Sequence, residues 1–262
     1  MAASPPTSRF LRWGFRRYLL GGFPFGRGML ARNFHAVRLL EPIPVPFDDG
    51  GPGGPRVFYL NHPGWWDPLA AAALAAYLVP FRTPYAPIDA EALRSIPCGR
   101  ALGLFGVERD AAAGARAFLR GATAALTDPA ADLWLTPQGT FAPPERRPIT
   151  FAPGLGHLLS RNPRLTAVPV AVRYDFWSER RPELLLAVGE PVRRSDVPTA
   201  DDTLGQGTPR SEARGDAPVR SGECSRFLEG RLEDILSELS AASADRDPGR
   251  FRPLRFDGNA RS

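Results

Sequence analysis

Residues 57–68, Val-Phe-Tyr-Leu-Asn-His-Pro-Gly-Trp-Trp-Asp-Pro, hold the end of one element, a turn and the start of another, and they constrain the fold more than any other stretch. Residues 57–60 form a β-branched and aromatic run of the kind that makes a buried strand. The Ala-rich segment from Pro68 to about Val79 predicts a helix, with Asp67 at its N-cap and Pro68 at its first position. A strand-to-helix turn presents its side chains at the edge of a sheet, beside backbone N–H groups that are free to bind anions. This turn carries His62 and, five residues on, Asp67. A neutral imidazole can act as a base, and a carboxylate can hold it in the right tautomer. Taken singly, both residues have plainer roles: Asp before Pro is an ordinary helix cap, and a turn His is an ordinary polar residue.

Further strands are predicted at 83–88, within 101–108, and at 133–136, 167–174 and 184–188. Helices are predicted at 90–95, at 111–126, after Pro153 within 151–159, and at 222–239. Strands alternating with helices predict an α/β fold, with a largely parallel central sheet flanked by helices. In the last helix Phe227, Leu228, Leu232, Ile235, Leu236 and Leu239 share one face, as core packing requires. Residues 48–55 are a Gly/Pro turn cluster. Residues 195–221, rich in Asp, Gly, Pro, Ser, Thr and Arg, are expected to be a flexible linker or insertion. The tail from Ala241 is polar and is expected to fray. The organisation expected is an N-terminal basic and aromatic membrane-interface segment (1–40), a core (41–194), a linker (195–221), and a C-terminal helix with its tail (222–262).

All 33 basic residues are Arg, and the absence of Lys excludes Schiff-base and P-loop lysine chemistry. Residues 1–40 hold seven Arg and no acid, leaving 26 Arg against 28 acids in the rest. The positive balance is thus N-terminal, which argues against a nucleic-acid-binding face on the body. Cys98 and Cys224 lie far apart, and with only His35, His62 and His157 no metal site is expected. Residues 1–8 read as an unstructured lead. Residues 9–20 mix Arg with aromatics and Leu, and suit an amphipathic helix in the headgroup layer of an anionic membrane. The longest nearly uncharged stretch, 68–81, is too short to span a bilayer, and the N-terminus lacks a secretory h-region. A cytoplasmic protein, peripheral on the inner face of the cell membrane, is expected.

Four segments, in order across about residues 40–193, resemble the sequence blocks of the glycerolipid and lysophospholipid acyltransferase superfamily, which includes the 1-acylglycerol-3-phosphate acyltransferases. His62-Pro-Gly-Trp-Trp-Asp67 is similar to its His-x4-Asp motif, and Gly103-Leu-Phe-Gly-Val-Glu-Arg109 to its second block. Thr136-Pro-Gln-Gly-Thr-Phe141 resembles the third, usually Phe-Pro-Glu-Gly-Thr-Arg, and Val168-Pro-Val170 the fourth. The resemblance implies acyl transfer from a thioester, acyl-CoA or acyl-carrier protein, to a hydroxyl of a membrane lipid, as in phospholipid biosynthesis. The donor is a substrate and no cofactor is implied. His62 would be the base and Asp67 its orienting partner. Arg109, Gln138, Gly139 and Thr140 would meet the acceptor, and Trp65 and Trp66 would line an acyl groove or sit at the lipid interface, with buried packing as their plainer role. Backbone N–H groups after Leu60 or near Gly139 would meet the oxyanion.

The departures from the family pattern bear on the acceptor. Gln138 stands for Glu, Phe141 for Arg, and Ala152 where many members carry a basic residue. Gln138 keeps hydrogen-bonding capacity without charge. Arg109 remains for a phosphate, its plainer reading being a surface Arg paired with Glu108 or Asp110. A glycosylated or other non-phosphate lipid is therefore the alternative acceptor. A non-catalytic lipid-binding protein on the same fold is the alternative outside enzymes. A serine hydrolase is disfavoured by the absence of a Gly-x-Ser-x-Gly elbow.

Overall fold

The computed structural model describes residues 7–22, 26–44, 54–108, 111–198 and 219–255. In chain order the elements are α1 (Arg9–Leu20), β1 (Gly21–Gly22), β2 (Gly26–Arg27), α2 (Met29–Asn33), β3 (Val37–Leu40), β4 (Arg56–Leu60) and α3 (Asp67–Leu78). Then come β5 (Thr83–Asp89), α4 (Ala90–Ser95), β6 (Leu104–Val107), α5 (Ala111–Ala125), β7 (Ala131–Leu135) and α6 (Gly154–Arg161). The chain closes with β8 (Thr166–Asp175), β9 (Glu183–Val188), α7 (Ser221–Ala244) and β10 (Phe251–Pro253). Eight strands form one sheet in the order β10-β3-β9-β8-β4-β7-β5-β6, and β1 and β2 form a small separate ribbon. Pairing is parallel from β8 to β6 and between β3 and β9; β8–β9 and β10–β3 are antiparallel. The protein is thus an α/β fold with a mostly parallel central sheet flanked by helices and an N-terminal helix.

Side-chain alternation along the strands divides the core into two layers. Val57 and Tyr59 pack with α5, α6 and α7, whereas Phe58 and Leu60 pack with α1, α2 and α3. On the first face Leu228, Leu232, Ile235, Leu236 and Leu239 of α7 are buried as their spacing predicts, and the Tyr59 hydroxyl donates to the carbonyl of Leu228 at 3.3 Å. On the second face α3, apolar all round, is buried through Ala70, Ala73, Leu74 and Leu78. Among the described residues, no helix is long and apolar enough to cross a membrane.

The helix read at 9–20 is α1, but it is also part of the core: Leu19 and Leu20 are buried, while Phe10, Trp13 and Tyr18 stay exposed. Ser8, expected in an unstructured lead, accepts from the N–H of Leu11 and donates its own N–H to Ala101, because a helix start needs side-chain acceptors; residues 1–6 lie outside the described residues. The strand placed within 101–108 is β6 alone, preceded by a 3₁₀ turn over Gly99–Leu102. Besides the short β1–β2 ribbon, two strands of the central sheet escaped the reading. β3 lies in the segment assigned to the membrane interface, and β10 lies in the tail expected to fray. They pair with each other, and Phe251 and Leu254 are buried there. Residues 48–53 of the turn cluster and 199–218 of the predicted linker lie outside the described residues.

At the N-terminal ends of the central strands, the fully buried carboxylate of Asp132 (β7) accepts from Arg56 of β4 at 2.9 Å and from Arg82, just before β5, at 2.7 Å. The network joins three neighbouring strands at the end of the sheet remote from the His62 turn. Removing the carboxylate strands two guanidinium groups that are themselves mostly buried. Asp132→Ala should therefore lower unfolding free energy by about 3–5 kcal/mol, the usual cost of breaking a buried ion pair. Urea denaturation checks this, and a loss below about 1 kcal/mol would assign the network only the weight of a surface pair.

Candidate active site

The site arises from a switch in helix placement. From β4 the chain enters α3 on one face of the sheet, and from the adjacent parallel strand β7 it enters α6 on the opposite face. Loops that leave neighbouring strands toward opposite faces open a crevice at their carboxyl ends, where ligands of open α/β sheets bind. One wall is the 61–67 loop and the other the 136–142 loop. They are sewn together by the N–H of His62 donating to Oε1 of Gln138 at 2.8 Å and by the N–H of Ala142 donating to the carbonyl of His62 at 2.9 Å. The far wall is fixed by α7, whose Glu233 and Glu229 accept from the N–H groups of Ile149 (2.5 Å) and Phe151 (2.7 Å).

Nδ1 of His62 lies 2.6 Å from Oδ2 of Asp67. An ionised carboxylate only accepts, so this contact puts the imidazole proton on Nδ1 and leaves the Nε2 lone pair available. Among the described residues nothing hydrogen-bonds Nε2, and the His62 side chain is 17% exposed. Asp67 itself is buried and takes two further donors: the N–H of Gly64 at 3.0 Å to Oδ2 and the hydroxyl of Tyr174 at 2.5 Å to Oδ1. Burial, then the charge and hydrogen bond of Asp67, push the Tyr174 phenol far above its ordinary range, so it remains a donor.

This corrects the reading of Asp67 as a helix cap. It is the first residue of α3, the cap position belongs to Trp66, and no side chain caps the helix. The carboxylate turns back into the loop because a phenol, an imidazole N–H and a backbone N–H converge on it there, and charge-assisted bonds of this kind are the stronger choice.

Of the residues singled out from the sequence, His62, Asp67 and Gln138 are directly connected. Gln138 spends its acceptor on the backbone of His62, and Gly139 holds the left-handed turn (φ 71°) that only glycine adopts without strain. Thr140 is exposed on the same loop, and the neighbouring ring of Phe141 lies over the imidazole, centroids 4.5 Å apart. Trp65 projects into solvent, 66% exposed, whereas Trp66 packs edge-on against Phe34 at 4.9 Å. Arg109 lies outside the described residues. Two residues were missed. Tyr174 sits 107 positions from its partner. The buried Asn61 exchanges two hydrogen bonds with the backbone of Val172, at 2.8 and 2.9 Å, and so ties the start of the His62 loop to β8. The only signal for Asn61 was a polar residue directly after a strand; for Tyr174 there was none.

The N–H groups expected to meet an oxyanion are partly used. Those of His62, Gly64 and Gly139 are already donated, while those of Thr140 and Phe141, on the loop whose Phe141 ring meets the imidazole, are undonated among the described residues. No family model matches the chain, and no curated protein is significantly similar to it. The Tyr174 contact generates a direct test. Tyr174→Phe keeps a ring to stack on Phe34 but removes a donor from a buried carboxylate, and should cost about 1–3 kcal/mol in denaturant unfolding.

Proposed function

We propose that this protein is an acyltransferase that moves a fatty acyl group from a thioester to a hydroxyl of a membrane lipid. The observation that carries the reading is the oriented His62–Asp67 pair in the crevice at the carboxyl ends of β4 and β7. Nε2 of His62 takes the proton of the acceptor hydroxyl as its oxygen attacks the thioester carbonyl. The N–H groups of Thr140 and Phe141 receive the developing oxyanion, and collapse expels the thiolate, which regains a proton from the imidazolium. Asp67 stabilises that imidazolium and fixes the ring; no covalent acyl-enzyme forms. The resemblance of four ordered sequence blocks supports the same chemistry.

The acceptor reading favoured by the structure is a weakly charged lipid, such as a glycolipid. Phe141, where the resemblance would have Arg, lies over His62, and Gln138 is neutral. A phosphomonoester needs several cations or many N–H donors. The lipid is reached at an anionic membrane surface on the cytoplasmic side. Exposed Phe10 and Trp13, stacked at 6.1 Å among the arginines of α1, supply a surface that inserts rings while pairing with lipid headgroups.

His62→Ala should lower thioester-dependent acylation of membrane lipids by ~10²–10⁴-fold while the far-UV spectrum stays that of the parent. Parent-like turnover in the folded variant would refute the mechanism. With lysophosphatidic acid as acceptor, transfer should be poor, and Phe141→Arg should raise it. Efficient use of that acceptor by the unmodified protein would point to the phospholipid pathway instead. Phe10→Ala combined with Trp13→Ala should reduce binding to anionic vesicles, and binding by the parent should weaken with added salt in a sedimentation assay.

A further inference from the structure

Asp67 divides its charge among three donors, and only one of them is His62. The imidazole and the N–H of Gly64 share Oδ2, at 2.6 and 3.0 Å, while Oδ1 takes the Tyr174 hydroxyl at 2.5 Å. That last contact is at the short end of the range for an O–H donor on a carboxylate. The packing around Tyr174 needs only its ring, which stacks on Phe34 with centroids 5.8 Å apart, and Phe34 in turn meets the edge of Trp66. The hydroxyl is the part that reaches the site. Charged groups on the surrounding elements are engaged elsewhere. On β8 itself Arg173 and Asp175 pair with each other, and Arg173 also meets Glu145. On β9 Leu184 lies opposite Tyr174, and Glu183 pairs with Arg38 of β3. His35, just after α2, lies 3.9 Å from Glu179 and 3.8 Å from Glu183. What α1 and α2 bury in this layer is Leu19, Leu20 and Leu30. The 61–67 and 136–142 loops hold no ionisable side chain besides His62 and Asp67, and the other one in α3, Tyr77, accepts from Arg252.

A hydrogen bond accepted by a carboxylate stabilises its ionised form. The Tyr174 bond therefore takes up charge that Asp67 would otherwise lend to an imidazolium when Nε2 accepts a proton. Without the hydroxyl, the pair binds a proton more tightly wherever that proton settles, on the imidazole or on the carboxylate, because the charge it neutralises is less well satisfied. A purely mechanical role has the opposite consequence. If loss of the hydroxyl let Asp67 swing away from His62, the ring would lose its ionic partner and hold a proton less tightly.

We infer that Tyr174 is a positioning residue that acts through Asp67 to hold down the proton affinity of the His62–Asp67 pair. Nε2 is thereby kept ready to accept a proton at lower pH than a pair without the phenol allows. The use of this in turnover rests on the acyl-transfer reading; the effect on the pair does not.

The experiment is an NMR titration of the His62 ring signals in the full chain, identified by their loss in His62→Ala. It compares the parent, Tyr174→Phe, and protein carrying 3-fluorotyrosine at position 174, whose more acidic phenol is a stronger donor. The midpoint should move up by roughly half a unit to one unit in Tyr174→Phe and should move down in the fluorinated protein. Thioester-dependent acylation should follow the midpoint. In Tyr174→Phe kcat should fall about three- to tenfold on the acid side and return toward the parent value at alkaline pH, with KM for the acceptor little changed. A midpoint unchanged or lowered in folded Tyr174→Phe overturns the inference and leaves Tyr174 a structural tie. If that variant fails to fold, the fluorinated protein decides, and a midpoint unchanged or raised there overturns it. The expected midpoints without acylation by the parent uphold the effect of Tyr174 and refute the acyltransferase reading. Acylation that needs His62, with midpoints that do not move, does the reverse.

Discussion

A carboxylate removed from water must be surrounded by donors, and the way Asp67 meets that demand organises one end of this molecule. Its donors come from three places: the imidazole of His62, the backbone of Gly64 inside the loop, and the phenol of Tyr174 at the end of β8. Each bond stabilises the charge and also fixes a piece of structure. The Gly64 bond closes the loop on itself, the Tyr174 bond joins β8 to the start of α3, and the His62 bond selects the tautomer. Asn61 repeats the pattern one residue earlier by linking the loop to the backbone of Val172. The His62 ring is therefore held from both sides of its own peptide and through its side chain, with Nε2 left over.

That clamp works because the sheet places the loops where it does. Helices leaving β4 and β7 toward opposite faces keep the 61–67 and 136–142 loops from packing flat on each other. Cross-loop bonds through Gln138 and Ala142 then set their separation. The far side of the 136–153 connection is held by two glutamates of α7. The helix that covers the core thus also braces the crevice, and its apolar stripe and its acidic residues serve the two purposes on different faces. At the opposite end of the sheet Asp132 gathers Arg56 and Arg82, an arrangement for stability. Strand starts carry the structural ion network and strand ends carry the candidate site.

The family resemblance stands on sequence blocks, and the chain's departures from it acquire a location in the structure. Gln138 does a backbone job that needs one acceptor oxygen and no charge. Phe141 sets an apolar ring against the imidazole, tilted 54° to it. Under the proposed acyl transfer, both changes favour a hydroxyl on a neutral surface over a doubly charged headgroup. The exposed Trp65 extends that apolar character outward.

The sequence by itself determined the local elements. Strand 57–60, the helix after it, α1 and α7 were all legible, because hydrophobic periodicity and Pro or Gly punctuation act over a few residues. It also singled out His62 and Asp67 as a pair, through their joint occurrence in one turn and the resemblance of that turn and the later blocks to a known family. What lay beyond it was whatever depends on distant chain segments. β3 and β10 are short and gain their hydrogen bonds from each other and from β9, so nothing in either segment alone declares a strand. Tyr174 reads as an ordinary strand residue until β8 lies beside β4 and brings its hydroxyl to Asp67. The role of Asp67 itself changed for the same reason. Local rules assign it to its own helix, and only tertiary packing delivers the stronger donors that turn its carboxylate the other way.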